Sequence, residues 1–323
     1  MIFLEIFINS FCGVLSIFLI VGCGFFIDRM RWVNESCVTF LSILVNKVCL
    51  PPLLFLTTYS KIDAKAVHDM GESFWVPFAS IVLGMMAGWV LSKLVGAKRN
   101  HVGIITSTTA ISNTIFAGLP ICVSIFGERA LPHVMTYYFA NSLLFWTIGV
   151  QLLAMGNTEK EVRIFSWQTL KSIASPPLTS GIFGFCLLLA GVQLPQVLLK
   201  SMGYVAGMTT PLAMIFIGIA VSRTDYSAFH FNWEFFGGVF GRFVVGPLLL
   251  LVLLVYFGTD PFMGEVFMVM AAMPAMANIA IISSNYGGDY KFAATVVTAT
   301  TCLSALVIPL YIMLLYYLLG WTI

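Results

Sequence analysis

The sequence predicts an all-α polytopic membrane protein with ten transmembrane helices, arranged as two inverted five-helix repeats with broken, crossing helices 4 and 9. The first observation is composition: 59% of residues are hydrophobic, 9% are charged, and the mean hydropathy is +0.97. A soluble domain would carry roughly a quarter charged residues. The second is the recurrence of apolar stretches of about 20 residues, the length that crosses about 30 Å of hydrocarbon. The third is that helix-breaking residues recur at matching places in the two halves.

Ten predicted spans follow one another with short connections. They cover residues 4–27, 37–58, 73–95, 101–126, 131–154, 177–194, 200–222, 235–257, 262–286 and 292–319. A polar stretch near the midpoint divides the chain into a first repeat at 1–155, a cytoplasmic connecting loop at 156–176 and a second repeat at 177–323. The N-terminus lacks a basic region and a cleavage site, so it is interpreted as a retained first helix and not a signal peptide.

Basic residues predict the orientation of the spans. They are concentrated on one set of loops, which includes Arg29, Lys98 and Arg99, and are sparse on the other. Loops rich in lysine and arginine face the cytoplasm in membrane proteins. Both termini are therefore predicted on the outer, periplasmic face of a bacterial inner membrane.

The two halves carry similar interruptions. Pro51 lies inside LVNKVCLPPLLFL of span 2, and Pro211 lies inside YVAGMTTPLAMIF of span 7. Span 4 contains SNTIFAGLPICVSIFGE, and span 9 contains AAMPAMANIAIISSNYGGD. Interrupted spans at matching positions are typical of inverted-repeat transporters that bind their substrate at the membrane midplane. An odd number of spans per half gives the second half the opposite orientation. The alternative is a chance match, because proline is common in membrane helices.

The segment SNTIFAGLPI, residues 112–121, predicts a binding site. Lipid offers no hydrogen bonds, so polar side chains and freed backbone groups there need a protein partner or a cavity. An interrupted helix presents unpaired N–H groups and a positive dipole end. Two crossing interruptions would aim such groups at one point and form an anion site. Side chains predicted to contribute are Ser112, Asn113, Thr114, Asn278 and Asn141. The alternative is hydrogen bonding between helices without a ligand.

Two cations fall at membrane depth, where ionisable residues are usually functional. Lys47 adjoins Asn46 and precedes Pro51 by four residues. It is predicted to lie near an anionic substrate or to pair within the scaffold. Arg242, in GVFGRFVVGPLLL, is equally compatible with function and with a side chain that reaches the headgroups.

Other functional classes find little support. A hydrolytic pair, a nucleophile elbow and a phosphate loop are all missing, so an enzyme is not predicted. The net charge of +2 gives no basis for nucleic-acid binding. The seven cysteines are scattered without CxxC spacing, so no metal or cofactor is expected. A coupling ion stays open: the acids Glu128, Glu265 and Asp289 lie near span ends, and sodium would be held by freed carbonyls.

Taken in order, several stretches resemble the auxin efflux carrier family, which includes bacterial malate and malonate permeases and the plant PIN auxin transporters. They are VGCGFFIDRM, LVNKVCLPPLLF, SNTIFAGLPI, MTTPLAMIFIGIAVS, RFVVGPLLLL and AMPAMANIAIISSNYGGD. The resemblance implies that spans 1, 2, 6 and 7 form a dimerising scaffold. Spans 3–5 and 8–10 would form a transport domain that carries organic anions by an elevator-type movement. The implied site residues are Asn113, Thr114, Gly118, Pro120, Asn141, Pro274 and Asn278.

The chain also departs from the family pattern. Lys47 stands where relatives often carry Asn or Tyr, and Ile279–Ala280 stand where plant members usually carry a second proline. These departures leave the substrate open. The sequence therefore predicts a secondary transporter for a small carboxylate, either a dicarboxylate such as malate or malonate or an auxin-like monocarboxylate, with Asn46 and Lys47 added to the site. The alternatives are a non-transporting membrane sensor on the same fold and, third, a passive channel.

Overall fold

Helices account for the regular secondary structure of the protein. A computed structural model describes residues 2–60, 73–154, 176–223, 231–285 and 288–319, and within these ranges there is no β-strand. Five helical stretches are long and apolar enough to cross a membrane: Glu35–Tyr59, Trp75–Leu94, Gln196–Ser222, Trp233–Phe257 and Tyr290–Leu314. The predicted all-α polytopic membrane class is therefore confirmed. The predicted connecting loop, apart from Pro176, lies outside the described residues.

Helices occupy each predicted span of the first half. They are α1 (Ile2–Arg29), α2 (Glu35–Ile43), α3 (Leu50–Ser60), α4 (Trp75–Leu94), α5 (Arg99–Ala110), α6 (Leu119–Phe126), α7 (Leu131–Leu144) and α8 (Val150–Ala154). The pairs α2–α3, α5–α6 and α7–α8 each divide one predicted span. A short 3-10 turn, Glu128–Ala130, links α6 to α7.

The second half divides the counterparts of spans 2 and 4 in the same way, but it also divides span 8 and leaves span 10 as one helix. Its helices are α9 (Pro176–Leu189), α10 (Gln196–Gly207), α11 (Thr209–Ser222), α12 (Trp233–Phe240), α13 (Gly246–Phe257), α14 (Pro261–Ala271), α15 (Asn278–Asn285) and α16 (Tyr290–Leu319). Here the divided spans are α10–α11, α12–α13 and α14–α15. Pro309 lies inside α16 without ending it.

In the described ranges, wide π-helical turns replace α-helix at four points, and prolines account for three of them. The turns are Leu44–Cys49, Thr114–Gly118, Phe145–Gly149 and Gly241–Val245. Proline has no N–H and its ring displaces the carbonyl four residues earlier, so the preceding turn widens. Pro51, Pro120 and Pro247 follow three of the turns. No proline follows the turn at Phe145–Gly149, and nothing in the structure explains it.

Close backbone contacts through glycine join α1 to α11 and α3 to α9, as a similar contact at Gly103 joins α5 to α8. A Cβ on Gly24 of α1 would lie 2.2 Å from the carbonyl oxygen of Ile215 in α11, and one on Gly218 would lie 2.0 Å from that of Val21. Between α3 and α9, a Cβ on Gly184 would lie 2.7 Å from the carbonyl oxygen of Phe55. Only glycine allows backbones to approach this closely within a membrane. Spans 1 and 7, and spans 2 and 6, are thus tightly paired.

Candidate functional site

The two interrupted spans cross and hydrogen-bond to each other through their backbones. The chain leaves α5 at Ile111 in an extended conformation, and Ser112 forms an isolated antiparallel bridge with Ala275. The N–H of Asn113 donates to the carbonyl of Pro274 at 2.8 Å, and the N–H of Met276 donates to that of Ile111 at 3.4 Å. The free backbone groups that the sequence predicted at two separate breaks therefore partly satisfy one another. We call residues 111–114 and 272–278 the crossover.

Side chains of the neighbouring spans complete the backbone bonding of the crossover. Asn141 of α7 accepts from the N–H of Ser112 at 3.0 Å and donates to its carbonyl at 3.0 Å. On the span 9 side of the crossover, the hydroxyl of Thr300 in α16 accepts from the N–H of Ala275 at 3.2 Å. Both residues are fully buried. Asn141 was predicted as a ligand-binding residue; both ends of its amide are engaged in holding the break in place.

Several polar groups of the crossover have no partner in the described part of the chain. The side chains of Asn113 and Thr114 are buried, at 4% and 3% exposure, and form no hydrogen bond with described residues. The half-buried side chain of Asn278 forms none either. The helix that follows the first break makes its first internal bonds from Ala117 and Gly118, so the amides of Ile115 and Phe116 precede them. These groups are the donors that a ligand would find.

The two breaks differ in how open their amides are. At the start of α15, the N–H of Ile279 donates to Met276 at 3.0 Å and that of Ala280 donates to Ala277 at 3.3 Å. These first-turn amides are therefore already paired. The positive helix end at Thr114 is the more available of the two.

Arg242 connects the first halves of both interrupted spans. Its guanidinium is fully buried and donates to the carbonyl of Thr108 in α5, at 3.4 Å, and to the carbonyl of Ala271 at the end of α14. Carbonyls at a helix C-terminus carry partial negative charge, which a cation stabilises. No described carboxylate forms an ion pair with Arg242, and its Nε has no hydrogen-bond partner. One buried positive charge without a formal counter-charge among the described carboxylates therefore lies next to the crossover.

The remaining predicted residues of the crossover have packing roles. A Cβ on Gly118 would lie 2.7 Å from the sulfur of Met270, so this glycine lets the second half of span 4 contact α14. Pro120 is buried just after the wide turn Thr114–Gly118, which its missing N–H and its ring account for. Pro274 supplies the carbonyl that Asn113 bonds. The hydroxyl of Ser112 is buried without a partner among described residues.

Asn46 and Lys47 lie away from this cluster. They belong to the wide turn Leu44–Cys49, which packs against α9, α10 and α11. The amide of Asn46 donates to the carbonyl of Ser42 in its own helix at 2.9 Å, and Lys47 is exposed. Neither is brought together with Asn113 or Asn278. Their predicted part in binding stays a prediction.

A cavity of about 540 Å³ lies between the tightly paired spans and the second half of span 4. Leu53, Thr57 and Thr210 line one wall, Leu119 and Val123 line the opposite wall, and Lys200 and Glu128 line its charged part. The ring of Phe116 packs 5.5 Å from that of Phe216 in α11, where the two groups of helices touch. The cavity thus extends along the helix whose N-terminus holds the open amides.

A charged network closes the opposite end of these helices. His101 is buried in the first turn of α5, stacked 4.0 Å from the ring of Phe292. Its Nδ1 lies 2.9 Å from a carboxylate oxygen of Glu234, and its Nε2 lies 3.0 Å from one of Asp289. The two ring nitrogens therefore connect α5 to both carboxyl groups. No group of three potential ligands in the described ranges could hold a metal ion.

Hydrogen bonds outweigh burial in setting the pKa of Asp289. Burial by itself would raise the pKa of this carboxyl. The N–H of Phe292, at 3.0 Å, and the ring of His101 both stabilise the ionised form, and together they lower the pKa below its usual range.

The sequence did not indicate Thr300, nor the partners of Arg242 and His101. Threonine in a helix usually bonds its own backbone, as Thr300 also does to the carbonyl of Val297. The depth of Arg242 was a signal, but its two carbonyl partners are more than a hundred residues and 29 residues away in the chain.

Comparison with known proteins gives consistent results. A family model described as membrane transport protein matches residues 9–312. An uncharacterized transporter of Methanocaldococcus jannaschii is 26% identical over 307 residues, which cover 92% of this chain and 96% of that protein. One from Methanothermobacter thermautotrophicus is 23% identical, covering 95% and 98%. A putative malonate transporter of Rhizobium meliloti is 21% identical, covering 90% and 91%.

Proposed function

The chain belongs to the membrane transport protein family, as its resemblance to the auxin efflux carriers predicted, and we propose that it is a secondary transporter that carries a small organic anion through the crossover. It is an integral membrane protein, and the family and its similar relatives are transporters and not enzymes. The substrate class, the path and the movement below are our proposals.

The observation that carries the proposal is the set of unpaired donors at the crossover. Asn113, Thr114 and the amides of Ile115 and Phe116 lie at the N-terminus of the helix that runs on into α6. A helix N-terminus combines open N–H groups with a positive dipole end, which suits a carboxylate. The side chain of Asn278 adds a donor from the second break. These groups are buried or half-buried, so their unpaired state favours a ligand as the missing partner.

The charge of the crossover supports an anion. Arg242 is fully buried, and it bonds two carbonyl oxygens, which carry only partial charges, and the hydroxyl of Tyr137. A buried cation without a carboxylate is costly in a membrane, and a bound anion nearby would offset part of that cost. A cationic substrate would meet repulsion from the same residue.

The cavity of about 540 Å³ supports a route to the crossover. Lys200 lies in its wall, where a cation raises the local concentration of anions. The wall formed by Leu119 and Val123 leads along α6 toward its N-terminus. We propose that a carboxylate enters here and is captured at Thr114.

Paired contacts favour the inverted repeat. Spans 1 and 7 make the same kind of glycine contact as spans 2 and 6, which is the relation that exchange of two five-span halves requires. Asn141 of span 5 bonds the break of span 4, and Thr300 of span 10 bonds the break of span 9. We propose that spans 1, 2, 6 and 7 form a fixed scaffold and that spans 3–5 and 8–10 move as the transport domain. Dimerisation through the scaffold stays a prediction.

Malonate is the first substrate to test, because one relative is named a putative malonate transporter. Purified protein in proteoliposomes should take up labelled malonate or a similar mono- or dicarboxylate. Asn113→Ala and Asn278→Ala should each weaken apparent affinity, by about tenfold, because loss of one hydrogen bond to a charged group costs roughly 1.5–3 kcal/mol.

Asn100→Ala is the matched control. This asparagine lies in α5 near its first turn, away from the crossover, and its removal should leave uptake unchanged. Unchanged uptake in the Asn113→Ala, Asn278→Ala double variant would contradict the proposal. Thermal stabilisation by the anion without any flux would favour the membrane-sensor alternative.

A further inference from the structure

Glu265 is a buried acid that the proposed anion site does not use. It lies in α14, the first half of span 9, and its exposure is 3%. Its Oε2 has no hydrogen-bond partner, and no described basic residue forms an ion pair with it. From the sequence it counted only as an acid near the end of a span. Its burial without a counter-charge could not be foreseen.

An ionised carboxylate is not stable in such a position. Transfer of an unpaired charge into a low-dielectric region costs several kcal/mol, and the group takes up a proton instead. A protonated carboxyl is neutral and loses this penalty. The packing around Glu265 therefore favours the neutral acid in the conformation described.

No charged neighbour of Glu265 in the described ranges forms an ion pair that would stabilise the ionised carboxylate. Arg129, from the turn before α7, is the basic group that acts on it electrostatically, and Asp260 at the start of α14 is the acidic one. The guanidinium of Arg129 lies 4.5 Å above the ring of Phe262 and its Nε donates to the carbonyl of Phe126. From α7, His133 packs 6.3 Å from the ring of Phe267. In the described part of the chain, Arg129 and Asp260 are the charged groups that act on Glu265.

Water has a route to this region. A cavity of about 830 Å³ lies beside the first turns of α14, lined by His133, Asp260 and Met263 together with residues of α4 and the end of α13. Glu265 lies two residues beyond Met263, so the two side chains leave α14 on different faces. A rotation of α14 would bring the carboxyl into contact with the water of this cavity and allow ionisation.

The position of Glu265 links the proton to the anion site. The same short helix ends at Ala271, whose carbonyl Arg242 bonds, and continues into the crossover. A change of charge at Glu265 therefore acts on the element that holds the second break.

We propose that Glu265 is the proton-binding site through which this transporter couples anion movement to the proton gradient. This rests on the proposed function. The proton is carried on the carboxyl while α14 is buried, and it leaves to water when α14 is exposed. One proton and one carboxylate then move in the same direction, which lowers the net charge that crosses the membrane. No bond other than the O–H of the carboxyl is made or broken.

The test compares two modes of malonate transport in proteoliposomes. Wild-type protein should accumulate labelled malonate when the interior is alkaline. It should also exchange labelled for unlabelled malonate without any gradient. Glu265→Gln, which has the shape of the neutral acid but cannot release a proton, should lose gradient-driven accumulation to the level of protein-free liposomes and keep exchange. Glu35→Gln is the matched control: it removes an exposed acid far from α14, whose ion pair with Arg223 lies at the surface, and it should keep both modes.

Each outcome separates this inference from the proposed function. Gradient-driven accumulation in Glu265→Gln at the wild-type rate would overturn the proton site. Wild-type uptake that is not increased by an alkaline interior would overturn it too, while leaving the transporter intact. Absence of exchange for the whole panel of carboxylates would instead overturn the proposed function. If Glu265→Gln does not fold, a pH dye inside wild-type liposomes decides: a malonate gradient should carry protons inward, and no pH change would overturn the proposal.

Discussion

The side chain of Asn141 bonds both polar groups of the Ser112 peptide, accepting from its N–H and donating to its carbonyl, each at 3.0 Å. A side-chain amide has the same donor and acceptor pair as a backbone neighbour in a sheet. Asn141 thus supplies the partner that the broken helix lost at this residue.

Replacement of Asn141 by alanine should destabilise the protein. Two buried backbone groups would lose their partners, and each costs roughly 1–3 kcal/mol. The melting temperature in detergent should fall clearly, and transport should fall with it. Asn46→Ala is the control, because that amide bonds only a carbonyl of its own helix from a half-buried position. Equal melting temperatures for the two variants would contradict the role given to Asn141.

Gly24→Ala should separate α1 from α11. The added methyl would lie 2.2 Å from the carbonyl oxygen of Ile215, a backbone atom that cannot rotate away. Overpacking of this kind costs about 1–3 kcal/mol. Thermal unfolding measures the loss. Gly22→Ala is the control: Gly22 lies two residues earlier in α1, its added methyl meets no atom within 4 Å, and stability should not change. A wild-type melting temperature for Gly24→Ala would mean that the two helices are not in such close contact.

Two substitutions of Arg242 should distinguish the effect of its positive charge from the effect of its hydrogen-bond geometry. Arg242→Lys keeps a positive charge, but a point-like ammonium cannot bond the carbonyls of Thr108 and Ala271 together, so stability should fall while some anion affinity remains. Arg242→Met removes the charge and should weaken apparent malonate affinity by about tenfold or more, the effect of losing a charged partner. Uptake kinetics and melting curves measure the two effects. An unchanged KM in Arg242→Met would show that the buried charge does not select the anion.

Asp289→Asn should lower stability at neutral pH, and the deficit should shrink in acid. The pKa of Asp289 is lowered in the folded protein, so its contribution is fully present above the pKa of the unfolded chain, near 3.8, and is lost as pH falls through the lower folded value. Melting curves of both proteins between neutral pH and about pH 3 test this, since the unperturbed value for aspartate is about 3.9. A pH-independent difference would mean that the carboxylate charge is not what stabilises the network.

Local chemistry made the breaks predictable. Ser112, Asn113 and Pro274 are unfavourable in the middle of a membrane helix, so the sequence indicated where helix would stop, and the crossover lies there. The wide turns at Leu44–Cys49 and Gly241–Val245 were not predicted, although the prolines that cause two such turns were noticed. Proline marks a disturbance without saying whether the helix bends, widens or ends.

Long-range partners could not be predicted in the same way. The two hydrogen bonds between Asn141 and Ser112, and the hydrogen bond between Arg242 and Ala271, depend on how helices far apart in sequence are placed. Polarity at membrane depth indicated that each residue needs a partner, and Lys47 carried the same signal. The structure leaves Lys47 exposed, and its role stays a prediction. The depth of a charged residue in a span therefore indicates that it is unusual, but it does not indicate which residue binds it.

Neighbouring residues of the turn Gly241–Val245 reach three other spans. Arg242 bonds carbonyls of α5 and α14, and the carbonyl of Phe243, which Pro247 leaves without its helical donor, accepts from the hydroxyl of Tyr311 in α16. Hydrogen exchange at these helices is then governed by one shared opening equilibrium. Their slowest amides should exchange at a common rate, and Tyr311→Phe should release α16 from that group while the other helices stay protected.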